Sequence, residues 1–156
     1  MNDRGVLLDL LGRPGDRFTD LVLDYTGTLS RDGALLPGVA ERLRSLSESL
    51  RITVLTADTF GTAAAQLRGL PAEVRIVRSG EEKAELVRAM GRNVIAIGNG
   101  RNDMPLLQSA ELAIAVVGPE GAAAELLRVA DVVVRDINDG LDLILHPLRL
   151  KATLRD

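Results

Sequence analysis

The run LVLDYTGTLS, residues 21 to 30, decides how this chain is read. Leu21, Val22 and Leu23 describe a buried strand, and the strand ends at a lone aspartate, Asp24. A turn containing Gly27 and two threonines, Thr26 and Thr28, follows directly. Open α/β sheets bind their ligands beyond the carboxyl ends of the strands. A carboxylate at such a tip, facing N–H and hydroxyl donors, suits nucleophilic attack on phosphorus. The same residues also describe a strand that merely stops at an Asp-initiated turn, so other segments must decide.

Composition narrows the field. The chain has 156 residues, enough for one ordinary domain with a single core. Hydrophobic residues make up 46% and charged residues 26%, a globular balance. Aromatic content of 2% leaves a core of Leu, Val, Ile and Ala and no stacking platform for single-stranded nucleic acid. A net charge of −3 argues against a phosphate-backbone binder, so no nucleic-acid partner is expected. Cysteine is absent, which excludes disulfides and thiolate metal sites. No apolar run approaches spanning length, and MNDRGVLLDL lacks the features of a signal peptide. The expectation is a cytoplasmic protein without a membrane partner. Of the 19 basic residues only Lys83 and Lys151 are lysine.

Short β-like runs alternate with helical patterns, the signature of a mostly parallel sheet covered by helices on both faces. The expectation is a three-layer, Rossmann-like α/β fold occupying residues 1 to 156 as one domain. The turn-rich GRPGDR allows residues 5 to 11 and 18 to 24 to pair as an N-terminal β-hairpin. Helices are expected from Pro37-Gly38 to about Leu50, over 60 to 69, 81 to 90, from about Asn102, over 121 to 128 and from about Asn138. Strands are expected at 52 to 56, 73 to 77, 93 to 98, 112 to 116 and 131 to 134.

Three further segments carry chemistry. In ITVLTADT, Thr56 ends a strand on the sheet edge that Asp24 occupies, if the two strands are parallel neighbours. Its hydroxyl and the adjacent N–H groups, beginning at Ala57, suit a phosphoryl oxygen. In SGEEKAEL, Lys83 sits in the first turn of a helix, where a cation opposes the macrodipole. That placement, in a chain so poor in lysine, points to a role as a point charge on a phosphoryl group. In AIGNGRND, residues 96 to 103, a strand runs into Gly98, Asn99 and Gly100, then Asn102 and Asp103 at a helix start. Asn99 and Asp103 supply hard oxygen donors suited to Mg²⁺, the charged Asp103 being the stronger. Taken singly, each segment also has an ordinary reading as a strand end, a solvated helix face or a helix cap.

Together, DYTGTLS, VLTADTFGTA, EEKAELV and IAIGNGRNDMPLLQSAELAIAV stand in the order of the four motifs of the haloacid dehalogenase (HAD) superfamily. The likeness is nearest to the phosphorylation domain of P-type ATPases and to the small soluble proteins that resemble it. It covers about residues 18 to 134. The resemblance implies that Asp24 is the nucleophile of an aspartyl-phosphate, that the Thr26 carbonyl helps ligate Mg²⁺, and that Thr28 supports the loop. Thr56 and Lys83 would hold the phosphoryl group, Asp103 with Asn99 and Asn102 would complete the metal site, and Asp58 would line the same pocket. Two positions depart from the pattern. Thr26 stands where typical phosphatases of this superfamily carry an Asp as acid and base, and Asn99 stands where the ATPases carry Asp.

The resemblance implies a Mg²⁺-dependent phosphohydrolase acting on a phosphorylated small-molecule or macromolecular substrate. Only 32 residues separate Asp24 from Thr56 and 27 separate Thr56 from Lys83, which leaves no room for a cap domain. A capless site invites shielding by a second copy, and the apolar LDLILHPLRL (141 to 150) offers a surface for a homo-oligomer. His146 is read as a helix-end residue before Pro147 rather than a base. The alternative class is a slow regulatory or binding protein that keeps the fold, which the Thr26 departure favours. A phospho-accepting receiver fits less well, because strand 73 to 77 runs into IVRSG with no acid to accept phosphate.

Overall fold

The computed structural model describes residues 17–58 and 61–155. Six strands form one parallel sheet: β1 (Asp20–Asp24), β4 (Arg51–Thr56), β5 (Glu73–Ile76), β6 (Val94–Gly98), β7 (Leu112–Val116) and β8 (Val132–Val134). Their order is β5-β4-β1-β6-β7-β8. The chain thus builds outward from β1 in one direction, returns, and builds outward in the other. Asp24 lies at the carboxyl end of β1, beside the point where that order reverses, the place where open α/β sheets form their crevice.

The pleat sends alternate residues of β1 to opposite faces, and each face has its own core. Leu21 and Leu23 pack with Val39, Leu43, Ile97, Leu141 and Ile144, which brings in helices α1 (Val39–Ser47) and α5 (Ile137–Leu145). Val22 packs with Leu55, Val87, Leu106 and Leu107, which brings in α3 (Gly80–Met90) and α4 (Met104–Ser109). The result is the expected three-layer α/β arrangement.

Several elements differ from the sequence expectation. A β-hairpin is present near the start of the described chain, joining β2 (Ser30–Arg31) to β3 (Ala34–Leu35). Residues 5 to 11 lie outside the described residues, and β4 and β6 flank β1 on both sides. Helix α2 is confined to Thr62–Gln66. Residues 121 to 123 are not helical, because the Ala123 N–H donates to the Asn99 carbonyl (2.9 Å); only a short 3₁₀ turn, Ala124–Arg128, follows. The final helix divides into α5 and α6 (Pro147–Leu154) at His146. Proline has no N–H to continue a helix and keeps the preceding residue out of helical geometry.

The C-terminal segment is mostly spent inside the molecule. Leu141, Ile144 and Leu150 are buried, leaving Leu148 as its exposed large apolar side chain. Much of the apolar surface of residues 141 to 150 is therefore turned toward the chain's own core, with Leu143 and Leu145 half-buried against it. No helix among the described residues is long and apolar enough to cross a membrane.

Candidate active site

The turn Tyr25–Leu29 starts as β1 ends, and Gly27 adopts φ 76° within it. A Cβ at Gly27 would collide with Asn99 Nδ2, so glycine meets both a steric and a conformational demand. Helix α3 delivers Lys83 to the same place. Ser79 caps this helix by accepting the Glu82 N–H (3.2 Å), and Lys83 is buried despite its charge. Its Nζ donates to Asp24 Oδ1 (3.0 Å) and to Asp103 Oδ1 (2.7 Å). Three residues far apart in sequence thus meet as two buried carboxylates around one ammonium.

Thr28 Oγ1 lies 3.2 Å from Asp24 Oδ2 and 3.1 Å from Asn99 Oδ1, a single hydroxyl bridging the first and fourth motifs. The Asn99 amide nitrogen donates to the Gly121 carbonyl (3.0 Å). Asp103 Oδ2 accepts the N–H groups of Asn99 (3.1 Å) and Gly100 (3.0 Å), so this carboxylate folds the GNGRND loop over itself.

The electrostatics follow from this packing. Burial, then the neighbouring Asp103 charge, pushes the Asp24 carboxyl up to about 7, against the pull of Lys83 and Thr28. Burial disfavours the Lys83 ammonium, but the two carboxylates outweigh it and hold its pKa above the ordinary lysine value. Two carboxylates against one ammonium leave an excess negative charge in a buried site. A hard divalent cation would relieve it, and Asp24, the Thr26 carbonyl and Asn99 offer the oxygen donors Mg²⁺ prefers. The residues present therefore fit the metal.

A cleft of about 380 Å³ opens over these groups. Of the residues singled out from sequence, Asp24, Thr26, Ala57, Lys83, Asn99 and Asn102 line it. Thr28 and Asp103 do not; both are fully buried beneath its floor. Asp103, expected to help hold the metal, has both oxygens engaged by the Lys83 ammonium and two loop N–H groups. Thr56 and Asp58 line a neighbouring hollow of about 300 Å³, which meets the first along Thr26 and Ala57. Thr56 Oγ1 accepts the Asp58 N–H (3.1 Å). The Asp58 carboxylate accepts the N–H groups of Ala63 (3.0 Å) and Ala64 (3.2 Å), so it caps α2 instead of lining the Asp24 cleft.

Sequence reasoning missed four cleft residues, Val77, Arg78, Ser79 and Glu120. Arg78 and Ser79 follow β5, and Glu120 stands between two glycines after β7. In a parallel sheet every strand points its carboxyl end at the same edge, so the logic that singled out Asp24, Thr56 and Asn99 applies to these loops as well.

Comparison with known proteins agrees with this geometry. Residues 71–144 match the model of the haloacid dehalogenase-like hydrolases. An uncharacterised protein of Methanocaldococcus jannaschii is 55% identical over 65 residues, which covers 42% of this chain and 70% of that protein. A copper-transporting ATPase of Oryza sativa is 30% identical over 121 residues, 74% of this chain but only 12% of the ATPase. The solved 3-deoxy-D-manno-octulosonate 8-phosphate phosphatase of Moraxella catarrhalis superposes with a TM-score of 0.71 at 15% identity, covering 99% of both chains. The chain belongs to the haloacid dehalogenase superfamily of hydrolases.

Proposed function

We propose that this chain is a capless, Mg²⁺-dependent phosphohydrolase domain that works through an aspartyl-phosphate on Asp24. The observation that carries the reading is the buried set of Asp24, Lys83 and Asp103 at the reversal point of the sheet. A structural ion pair has no need of a cleft above it, and Asp24 both belongs to the set and lines the cleft.

In the first step an Asp24 carboxylate oxygen attacks phosphorus in line with the ester bond, and the alcohol leaves. Lys83 balances the charge gathering on the phosphoryl oxygens, and Asp103 keeps the Lys83 ammonium at the height of Asp24. The Thr28 hydroxyl, 3.2 Å from Asp24 Oδ2, holds the nucleophile's geometry. Water then attacks the same phosphorus and releases phosphate, restoring Asp24. Mg²⁺, held by Asp24, the Thr26 carbonyl and Asn99, would supply Lewis-acid charge neutralisation. Asp103 would act on that site from beneath, through Lys83 and the Asn99 N–H.

The substrate class that suits an open, partly polar cleft is a phosphate ester of a small, hydroxyl-bearing molecule, met in the cytoplasm. Turnover of p-nitrophenyl phosphate that requires Mg²⁺ and is lost in Asp24→Asn supports the reading. Full turnover after exhaustive chelation contradicts the metal requirement.

A second reading keeps a specific observation on its side. Thr26 cannot shuttle protons, and a missing acid and base costs about 10²–10⁴-fold. A protein of this fold that turns over very slowly would act as a phosphorylated binding module. A phosphoenzyme that forms within seconds and persists for hours would favour it.

A further inference from the structure

The proton problem that Thr26 creates has a structural answer. We infer that Glu120 is the general acid and base of the reaction, supplied by the loop after β7 rather than by position 26. The inference rests on the phosphohydrolase reading above.

Among the described residues, the titratable groups that line the cleft with Asp24 are Lys83, Arg78 and Glu120. Lys83 is locked between two carboxylates that stabilise its charged form. Arginine stays charged at any working pH. Asp58, the nearest acid in the second motif, spends its carboxylate on the Ala63 and Ala64 N–H groups. Glu120 is the carboxylate left to exchange a proton with a bound ester.

Its placement is built rather than incidental. Gly118, Pro119, Glu120 and Gly121 make a tight turn closed by the Gly121 N–H donating to the Gly118 carbonyl (3.1 Å), with proline at the second position as such turns favour. Gly121 takes φ 75°. Three ties fix the turn against the site. The Gly121 carbonyl accepts the Asn99 amide (3.0 Å), and the Ala123 N–H donates to the Asn99 carbonyl (2.9 Å). Glu120 Oε2 accepts the Asp32 N–H of the β2–β3 turn (3.0 Å). That bond engages one carboxylate oxygen and orients the side chain, leaving the other uncommitted to it.

The step balances without a further reactant. As the Asp24–phosphorus bond forms and the ester P–O bond breaks, the Glu120 carboxylic acid gives its proton to the departing alkoxide. The resulting carboxylate takes a proton from the water that attacks the aspartyl-phosphate, and phosphate departs with Glu120 reprotonated.

A good leaving group departs unprotonated, so the role of Glu120 is readable as a ratio. The experiment compares kcat/KM for glycerol 2-phosphate and p-nitrophenyl phosphate, with Mg²⁺, in the wild type and in Glu120→Gln. Glutamine preserves the acceptor for the Asp32 N–H, so loop geometry is kept while the proton is lost. The expected result is that the alkyl-to-aryl ratio falls at least tenfold in the variant, and that Glu120→Asp recovers part of it. An unchanged ratio, with p-nitrophenyl phosphate still hydrolysed, overturns the inference alone. A wild type that hydrolyses neither ester overturns the phosphohydrolase reading together with it.

Discussion

Strand β1 begins and ends with a buried aspartate, and the two differ in everything but residue type. Asp20 is 2% exposed and Asp24 is 6% exposed. Asp20 accepts the Thr19 hydroxyl (2.7 Å), and its charged partner, Arg51, lies 3.4 Å away on a side chain that is 73% exposed. Asp24 is paired with a lysine as buried as itself, which shares its charge with a second buried carboxylate. The amino end of the sheet gives its aspartate a partner in contact with water. The carboxyl end gives its aspartate a partner that water cannot screen, together with a cleft. Burial of an acid is therefore not the mark of the site; the mark is burial together with an excess of like charge.

The largest expected contrast is between amides at the two ends. Asp24→Asn is expected to lower phosphatase turnover by at least about 10³-fold, since a neutral amide is a poor nucleophile toward phosphorus. Asp20→Asn is expected to leave turnover within about threefold and to cost about 1 kcal/mol of stability, the usual worth of one hydrogen bond. Steady-state kinetics and urea unfolding of both variants check the pair.

Next in size is the contrast between the two cations. Lys83→Met leaves two buried carboxylates uncompensated, so it is expected to destabilise the metal-free protein by about 3–5 kcal/mol. Arg51→Met, at an exposed pair, is expected to cost less than about 1 kcal/mol. Equal losses would show that Lys83 is no more embedded than Arg51.

The pH dependence sharpens the same comparison. The folded Asp24 carboxyl sits at about 7, above its unfolded value of 3.8, so the folded state holds the extra proton. Its contribution to stability is complete below the unfolded value and is lost as pH rises through the folded one. The thermal midpoint of the metal-free protein should therefore fall between pH 4 and pH 8, and Asp24→Asn should flatten that fall. Added Mg²⁺ should raise the midpoint more at pH 8 than at pH 5. A wild-type midpoint that rises over this range would contradict the origin assigned to the shift.

A smaller effect separates the two residues of the fourth motif. Asn99→Ala is expected to weaken Mg²⁺ affinity several-fold with the fold kept. Asp103→Ala is expected to lower stability first, because Lys83 and two loop N–H groups lose their acceptor. Titration of Mg²⁺ dependence alongside unfolding curves distinguishes them.

These contrasts also explain what the sequence could and could not reveal. Strand tips were legible because a buried strand and the turn that ends it are local in sequence, as at Leu21 to Gly27. The meeting of Asp24 with Lys83 was legible only through motif order. Asp58 reads two ways in sequence because a carboxylate just before a helix serves equally as a cap, and its bonds to the Ala63 and Ala64 N–H groups form only in space. Glu120 went unseen because its turn has no apolar or charged pattern of its own; its position depends on Asn99, 21 residues earlier. The LDLILHPLRL segment looked like a contact surface because apolar periodicity is the same whether a helix faces its own core or another chain.

The central claim is that Asp24 itself becomes phosphorylated, and chemical trapping tests it most directly. The protein is mixed with ³²P-labelled acetyl phosphate and Mg²⁺, quenched in acid, digested and mapped. The account predicts a hydroxylamine-labile label on the peptide that contains Asp24, absent from Asp24→Asn. Label on a different residue, or turnover of acetyl phosphate with no labelled peptide at any time point, would contradict it.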